Sequence, residues 1–312
     1  MTNFAVVFPG QGSQTVAMLD AWGDHPVVRQ TLVEASDALG EDMARLIREG
    51  PKEQLDLTTN TQPVMLTAGI ACYRAWAADA GLAPSVLAGH SLGEYTALVA
   101  AGSLTLADAL PLVRFRAQAM QDAVPVGAGA MAAILGLDAA AVLAGCAQAA
   151  AATGEVVSAA NFNDPRQTVI SGSKAGVDKA CELLKAAGAK RALPLAVSAP
   201  FHCALMKPAA DALAGRLASV ALAAPRITVI NNIDVAAPAD PAAIRDALVR
   251  QAYGPVRWVE VVQALRARGA SHVVECGPGK VLAGMVKRID AEALSGAIFD
   301  PASLQETKGL LA

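Results

Sequence analysis

The sequence predicts an α/β protein in which a mainly parallel sheet is interrupted by a smaller inserted subdomain. Apolar runs, each followed by a glycine-containing turn and then by helical periodicity, recur on both sides of the chain's middle, which is typical of parallel α/β units. The middle itself has a different order of elements. With 312 residues, the chain fits one large domain with an insertion, or two domains.

The first third of the chain supplies the first parallel units. The apolar run at 4–8 ends in Pro-Gly and predicts a buried strand followed by a loop. A second buried strand at 85–89 leads into a helix that ends near 101. Helical periodicity also covers three further segments, at about 26–39, 63–80 and 106–121.

The middle of the chain predicts a compact inserted subdomain at 128–195. Strands and helices are indicated in the order β-α-β-β-α-β, at 130–137, 138–152, 155–162, 167–172, 174–187 and 189–195, with NFNDPRQ as the hairpin connection. This order is that of a ferredoxin-like unit. The flanking segments, 1–127 and 196–312, would then form one discontinuous domain.

The last third returns to the α/β pattern. It predicts strands at 227–231 and 273–276 and helices near 204–219, 241–252, 258–268 and from 280 onward. The residues from 300 onward are expected to be weakly ordered.

Composition excludes several classes of protein. The chain is 54% hydrophobic and 17% charged with a net charge of −3, which is globular and gives no nucleic-acid signature. The best membrane candidate, 63–80, carries Arg74 and Asp79, so we expect no membrane span. Five scattered cysteines without a CxxC pair indicate neither disulfides nor a metal site, and no cofactor is expected. The first residues lack a basic export signal, which favours the cytoplasm.

The sequence GHSLG at 89–93 places Ser91 between a predicted strand and a predicted helix. In that context GxSxG is typical of a nucleophile elbow, where the helix N-terminus offers unpaired N–H groups to an oxyanion. Serine is also a favoured helix N-cap, and GxSxG alone does not decide between the two. The strand–helix context favours the nucleophile.

A nucleophilic serine needs a base, and the chain has four histidines, at 25, 90, 202 and 272. His90 adjoins the serine, but we expect its side chain to point away and pack. His202 lies in a proline-containing turn between a strand and a helix, and eliminating the others favours it. The acid that would orient it stays open: Asp211 and Asp234 have no supporting pattern, and a backbone carbonyl is the other option.

Several spaced motifs resemble the acyltransferase family of malonyl-CoA:acyl carrier protein transacylases. The resemblance runs from residue 4 to about 289. The motifs are FPGQGSQ at 8–14, GHSLGEY at 89–95, RAQAMQDAVPVGAGAMAA from 116, NFN at 161–163, VSAPFH at 197–202, QAYGPVRW at 251–258 and VVECGPGKVLAGMVKRI at 273–289. This resemblance implies an α/β-hydrolase-like larger domain with a ferredoxin-like insert.

The resemblance also implies a role for each matched catalytic residue. Ser91 is acylated, and His202 acts as general base and then as general acid. The backbone N–H groups of Gln11 and Leu92 form the oxyanion hole. The main-chain carbonyl of Gln251 replaces the missing acid.

The resemblance further implies how the acyl group is selected. Arg116 binds the free carboxylate of the malonyl group, through the two parallel hydrogen bonds that a guanidinium can make. Phe201 leaves little room for an α-methyl branch, and Asn161 matches a position near the site's mouth. Gly254 stands where many relatives carry Asn or Ser, which bears on the polar contacts of that loop.

The implied reaction is ping-pong transfer of malonyl from malonyl-CoA to holo acyl carrier protein, for fatty acid synthesis, by a monomer that binds neither nucleic acid nor membrane. Three other functional hypotheses stay open: a discrete malonyl transferase of a polyketide or malonate decarboxylation pathway, a serine esterase or thioesterase, and a non-catalytic carrier-binding module. Basic residues suit an acidic carrier; the candidates are Lys190, Arg191, Lys280, Lys287 and Arg288.

Overall fold

The computed structural model describes residues 2–312, which form two separate sheets. The strands are β1 (Phe4–Phe8), β2 (Val86–Gly89), β3 (Gly129–Leu135), β4 (Val157–Asp164), β5 (Gln167–Ser173), β6 (Arg191–Pro194), β7 (Thr228–Ile230), β8 (His272–Cys276) and β9 (Leu294–Ile298).

Helices connect these strands and pack on the two sheets. They are α1 (Pro26–Leu39), α2 (Met43–Glu49), α3 (Lys52–Leu55), α4 (Thr58–Asp79), α5 (Gly93–Ala100), α6 (Leu106–Asp122), α7 (Ala139–Thr153), α8 (Lys174–Ala186), α9 (Lys207–Ala218), α10 (Pro241–Tyr253), α11 (Trp258–Ala267), α12 (Val281–Ile289) and α13 (Pro301–Leu311). Short 3-10 turns lie at Asp20–Trp22 and Ala204–Met206. No helix within residues 2–312 is long and apolar enough to cross a membrane.

The larger sheet is parallel, with strand order β7-β2-β1-β8-β9. Every residue of β1, β2 and β8 is buried, because helices pack on both faces, as parallel sheets require. The α/β class and the mainly parallel sheet were both predicted from the sequence and are confirmed.

The smaller sheet is antiparallel, with strand order β4-β5-β3-β6. Its elements follow in the order β-α-β-β-α-β, and α7 and α8 pack against it around a core of their own that includes Ile134, Val142, Ile170 and Leu184. The hairpin is tighter than predicted, because β4 continues to Asp164 and leaves only two residues before β5.

Three further sequence predictions need correction. The segment from 300 onward is helix α13, which begins with a capping box between Asp300 and Ser303 and buries Leu304 and Leu311 in the main core. Strand β9 was not predicted, because its sequence LSGAI is short and half-exposed. Helix α4 begins at residue 58, so Pro63 lies inside it.

The carboxyl ends of the neighbouring strands β1, β2 and β7 meet at one edge of the larger sheet. In open α/β sheets this edge is where ligands bind. The loops that leave it carry Gln11, Ser91 and Asn232, and the site is built there.

Candidate functional site

Ser91 lies in the tight turn between β2 and α5, and the glycines beside it are required by close packing. A Cβ at Gly89 would lie 1.9 Å from the carbonyl carbon of Gly93, and a Cβ at Gly93 would lie 2.1 Å from the carbonyl oxygen of Phe8. Ser91 itself has φ 53°, a left-handed conformation that non-glycine residues rarely adopt and that clusters at functional sites. The turn therefore has the geometry of a nucleophile elbow.

His202 is the histidine that reaches this serine. Its Nε2 lies 2.7 Å from Ser91 Oγ, and its Nδ1 lies 2.9 Å from the carbonyl oxygen of Gln251 and 3.2 Å from that of Gly254. Carbonyl oxygens only accept, so Nδ1 carries the hydrogen and Nε2 is free to accept from the serine hydroxyl.

The two acids that the sequence left open do not orient His202. Asp211 pairs with Lys207, and Asp234 pairs with Arg250 through both carboxylate oxygens. The backbone-carbonyl alternative is the one the structure contains.

The charge state of His202 follows from its surroundings. It is 4% exposed, and burial lowers its pKa to about 3, helped by the positive charge of Arg116 and opposed by the carbonyl of Gln251. The imidazole is therefore neutral near pH 7, which is the state that a general base requires.

Arg116 enters the site from α6 and is 2% exposed. Its Nη1 donates to Gln62 Oε1 at 2.8 Å, and its Nη2 donates to Gln251 Oε1 at 3.1 Å and to Ser91 Oγ at 3.4 Å. The Tyr95 ring lies 5.4 Å from the guanidinium carbon. Within residues 2–312 its Nε has no partner, so a buried cation with spare donor capacity lies beside the serine.

The neighbouring arginine on the same helix is placed quite differently. Arg114 makes a bidentate pair with Glu41 at the surface, with both N–O distances at 2.8 Å. Arg116, which the surrounding motif favoured, is therefore the arginine that lies beside the serine.

Two backbone amides near the serine are free to bind a ligand. Across the described residues, 2–312, neither the N–H of Gln11 nor that of Leu92 donates to a protein acceptor. The Gln11 side chain is held by Thr58 Oγ1 at 3.2 Å and by Gln62 Nε2 at 3.4 Å. Unpaired amides beside a nucleophile are what an oxyanion hole consists of.

The cavity above Ser91 has a volume of about 130 Å³ and lies between the two sheets. Among the predicted site residues, Asn161 lies on β4 and is 6% exposed, and Phe201 adjoins His202. The lining residues are Gln11, His90, Ser91, Arg116, Met131, Asn161, Val169, Leu195, Val197, Phe201 and His202. The structure therefore brings all eight predicted site residues to one place, with Leu92 and Gln251 just behind this lining.

Three buried polar residues that support the site were not predicted from the sequence, namely Gln62, Glu94 and Asn232. His90 was predicted only to pack. The His90 ring does pack edge-to-face on Trp258 at 5.4 Å, but its Nε2 also lies 2.8 Å from Asn163 Oδ1. The available signal was weak: polar residues directly after a buried parallel strand, as at Asn232.

Metal ligation has no candidate among the residues described. No group of three or more His, Cys, Asp or Glu side chains in 2–312 could hold a metal ion.

A strained serine, a neutral histidine and two free amides at a sheet edge are typical of enzymes that transfer acyl groups through a serine ester. The comparison with known families agrees with this class. The chain matches the family described as acyl transferase domain over residues 5–297, and it belongs to that family.

The similar proteins within the family are more specific. The malonyl CoA-acyl carrier protein transacylase of Escherichia coli strain K12 is 54% identical over 305 residues, which cover 97% of this chain and 98% of that protein. The crystal structure of an acyl-carrier-protein S-malonyltransferase from Burkholderia pseudomallei 1710b is 65% identical, covers 99% of this chain and 100% of that one, and superimposes with a TM-score of 0.97.

A third comparison involves a carrier. A malonyl-transacylase whose structure was solved in complex with its type II PKS acyl-carrier protein is 49% identical. The match covers 99% of this chain and 100% of that one, with a TM-score of 0.96. The family resemblance stated from the sequence motifs is confirmed.

Proposed function

We propose that this protein transfers the malonyl group of malonyl-CoA to the phosphopantetheine thiol of holo acyl carrier protein, through a malonyl-Ser91 ester. One observation supports this above the others. Ser91 Oγ lies 2.7 Å from a neutral histidine nitrogen and 3.4 Å from a buried arginine, so a nucleophile, its base and a cation for a carboxylate share one cavity.

Acylation is the first half of the reaction. His202 Nε2 takes the proton of Ser91 as Oγ attacks the thioester carbonyl, and the amides of Gln11 and Leu92 hold the oxyanion. The tetrahedral intermediate collapses, the carbon–sulfur bond breaks, and coenzyme A leaves as a thiol with the proton from His202. The carbonyl of Gln251 keeps the imidazole oriented throughout.

Deacylation reverses these roles with a different thiol. The carrier's phosphopantetheine thiol gives its proton to His202, and its sulfur attacks the carbonyl carbon of the malonyl ester. The Ser91 Oγ then leaves and recovers the proton. No cofactor on the enzyme is needed for either half.

Selection of the acyl group follows from the cavity lining. The Arg116 guanidinium would hold the distal carboxylate through two charge-assisted hydrogen bonds, close to the serine it already contacts. The Phe201 ring would exclude an α-methyl branch. Asn161, at the side of the smaller sheet, would contact the acyl group or the arm that carries it.

We propose the finer fold assignment on the same basis. The element order and the strand order β4-β5-β3-β6 support a ferredoxin-like subdomain at 128–195. The parallel sheet with a serine turn after β2 supports a hydrolase-like domain formed by 1–127 and 196–312. A monomer in the cytoplasm stays a prediction.

The carrier we propose is the acyl carrier protein of fatty acid synthesis. Because a relative at 49% identity forms a complex with a type II PKS carrier, both carriers should be offered in competition. A higher kcat/KM with the polyketide carrier would assign the protein to that pathway.

The deciding experiment is an intact-mass measurement after mixing the purified protein with malonyl-CoA. We expect a malonyl adduct that is absent in Ser91→Ala and is discharged faster by holo carrier than by apo carrier or water. Acetyl-CoA and methylmalonyl-CoA, run in parallel, should label poorly. Release of free malonate at the carrier-stimulated rate without carrier would instead make the protein a hydrolase. If no acyl-CoA forms an adduct, Ser91 is not the nucleophile.

A further inference from the structure

The two peptide groups that flank Ser91 are held by side chains from distant parts of the chain. The Ser91 N–H donates to Asn232 Oδ1 at 2.7 Å, and the Ser91 carbonyl accepts from Gln251 Nε2 at 3.0 Å. Ser91 has the unfavourable φ of 53°, and such a conformation persists only where the surroundings hold it. These two hydrogen bonds are the side-chain contacts that stabilise the left-handed conformation of Ser91.

Asn232 bridges the turn rather than touching one point of it. It follows β7, it is fully buried, and its Nδ2 donates to the carbonyl of Gly89 at 2.7 Å. Gly89 is the last residue of β2. One amide side chain therefore connects the end of the strand to the peptide of the nucleophile two residues later.

Glu94, in the first turn of α5, hydrogen-bonds to both Asn232 and Gln251. It is 2% exposed, and its Oε2 accepts from the backbone N–H of Asn232 at 2.8 Å and from Gln251 Nε2 at 3.0 Å. A buried carboxylate is costly unless it is hydrogen-bonded. One carboxylate oxygen of Glu94 binds both residues that hydrogen-bond to the Ser91 backbone, so Glu94 is placed to support the site.

We propose that Glu94 and Asn232 are positioning residues for acyl transfer. Glu94 holds Asn232 and Gln251, and those two hold the Ser91 peptide so that Oγ points at His202. Neither Glu94 nor Asn232 contacts Oγ, so their loss should slow the chemical step without weakening substrate binding. This rests on the proposed function for the identity of the acyl group, but not for the reactivity of the serine.

The test uses two readouts of the full-length protein. The first is kcat and KM for transfer from malonyl-CoA. The second is the rate at which Ser91 is labelled by phenylmethanesulfonyl fluoride. An activated serine attacks its sulfur and displaces fluoride, and this reaction needs no malonyl recognition. The variants are Asn232→Ala, Asn232→Asp, Glu94→Ala and Glu94→Gln. The matched control is Asn231→Ala, since Asn231 is a buried neighbour whose Oδ1 accepts from Asp234 and Ala236 in its own loop.

We expect Asn232→Ala and Glu94→Ala to lower kcat and the labelling rate by about 100-fold with KM within about twofold, since a misplacement of about 1 Å costs that much. Glu94→Gln, which keeps an accepting oxygen, should recover at least about tenfold over Glu94→Ala. Asn232→Asp keeps the acceptor for Ser91 N–H but loses the donor to Gly89, so it should lie between wild type and Asn232→Ala, and it serves if the alanine variant does not fold.

Several results would overturn the proposal. One is labelling of a folded Asn232→Ala at the wild-type rate. Another is a change in KM alone in the Asn232 and Glu94 variants. The third is an equal loss of kcat and labelling rate in the Asn231→Ala control. If the wild-type protein transfers no malonyl group, the labelling rates still decide: a fall in the variants supports the positioning role even though the proposed substrate is then wrong.

Discussion

Replacing Arg116 with alanine should produce a loss that is specific to acyl groups with a free carboxylate. In the structure this guanidinium is 2% exposed, and its Nε has no partner within residues 2–312. Removing one partner of a buried, hydrogen-bonded charge pair costs about 3–5 kcal/mol. At 1.36 kcal/mol per tenfold, kcat/KM for malonyl-CoA should fall by about 150- to 5,000-fold.

The same change should not slow acetyl-CoA. An acetyl group offers no carboxylate to Arg116, so its kcat/KM should not fall, and any change should be a rise, because loss of the guanidinium raises the pKa of His202. Arg116→Lys keeps the charge but not the planar fork, and it should fall between wild type and alanine. Arg114→Ala is the matched control, because Arg114 lies on the same helix but pairs with Glu41 at the surface, and it should leave the ratio unchanged.

The assay is the acylation rate of each variant with both thioesters, measured as released thiol in a single turnover. Thermal unfolding should confirm that each variant is folded. Equal falls for malonyl-CoA and acetyl-CoA in a folded Arg116→Ala would refute the assignment, because they would show that Arg116 acts on the serine or the base rather than on the carboxylate.

Three other changes have expected outcomes. Phe201→Ser should raise kcat/KM for methylmalonyl-CoA relative to malonyl-CoA about tenfold, the lower range for one methyl group in a pocket; an unchanged ratio in a competition assay would contradict this. Gly93→Ala should lower the free energy of unfolding by about 3 kcal/mol, because its Cβ would meet the Phe8 carbonyl at 2.1 Å, whereas Gly215→Ala in open space on α9 should be neutral or stabilising. Burial, helped by Arg116, lowers the pKa of His202 from 6.5 to about 3, so the stability that neutral His202 contributes is lost as the pH falls below about 6.5. Burial raises the pKa of Glu94 from 4.5 to about 7, so the stability that protonated Glu94 contributes is lost as the pH rises from about 4.5 to 7. Relative to wild type, urea unfolding between pH 4.5 and 6.5 should therefore show opposite slope changes of about 1.4 kcal/mol per pH unit for His202→Gln and Glu94→Gln, and slope changes of the same sign would show that one assignment is wrong.

The sequence indicated the parallel sheet well because buried strands leave continuous apolar runs, as at 4–8 and 85–89. It also indicated the change of element order in the middle of the chain, where the structure has a separate antiparallel sheet. The errors concern elements whose stability comes from distant partners. Helix α13 has a modest sequence signal and is held by Leu304 and Leu311 in the main core, and β9 is defined by its pairing with β8.

The site residues also divide into those that local sequence predicts and those that depend on distant partners. Ser91 and His202 could be found because a tight turn and a base need particular residue types in a local context. Glu94 and Asn232 could not, because their role depends on hydrogen bonds across 138 or more positions of sequence. A buried carboxylate in the first turn of a helix otherwise looks like an ordinary favourable interaction with the helix dipole.

The position of Arg116 connects substrate charge to the strength of the base. In the free site burial, together with the positive charge of Arg116, holds the pKa of His202 far below its usual range, which makes the imidazole a weak base. A carboxylate paired with Arg116 cancels much of that positive field, so the pKa of His202 rises as the malonyl group arrives. An uncharged acyl group leaves the guanidinium unpaired and meets the weaker base. Selection by charge therefore acts on the rate of proton transfer as well as on binding, and the two effects reinforce each other because one guanidinium contacts both the serine and the region where the carboxylate would lie.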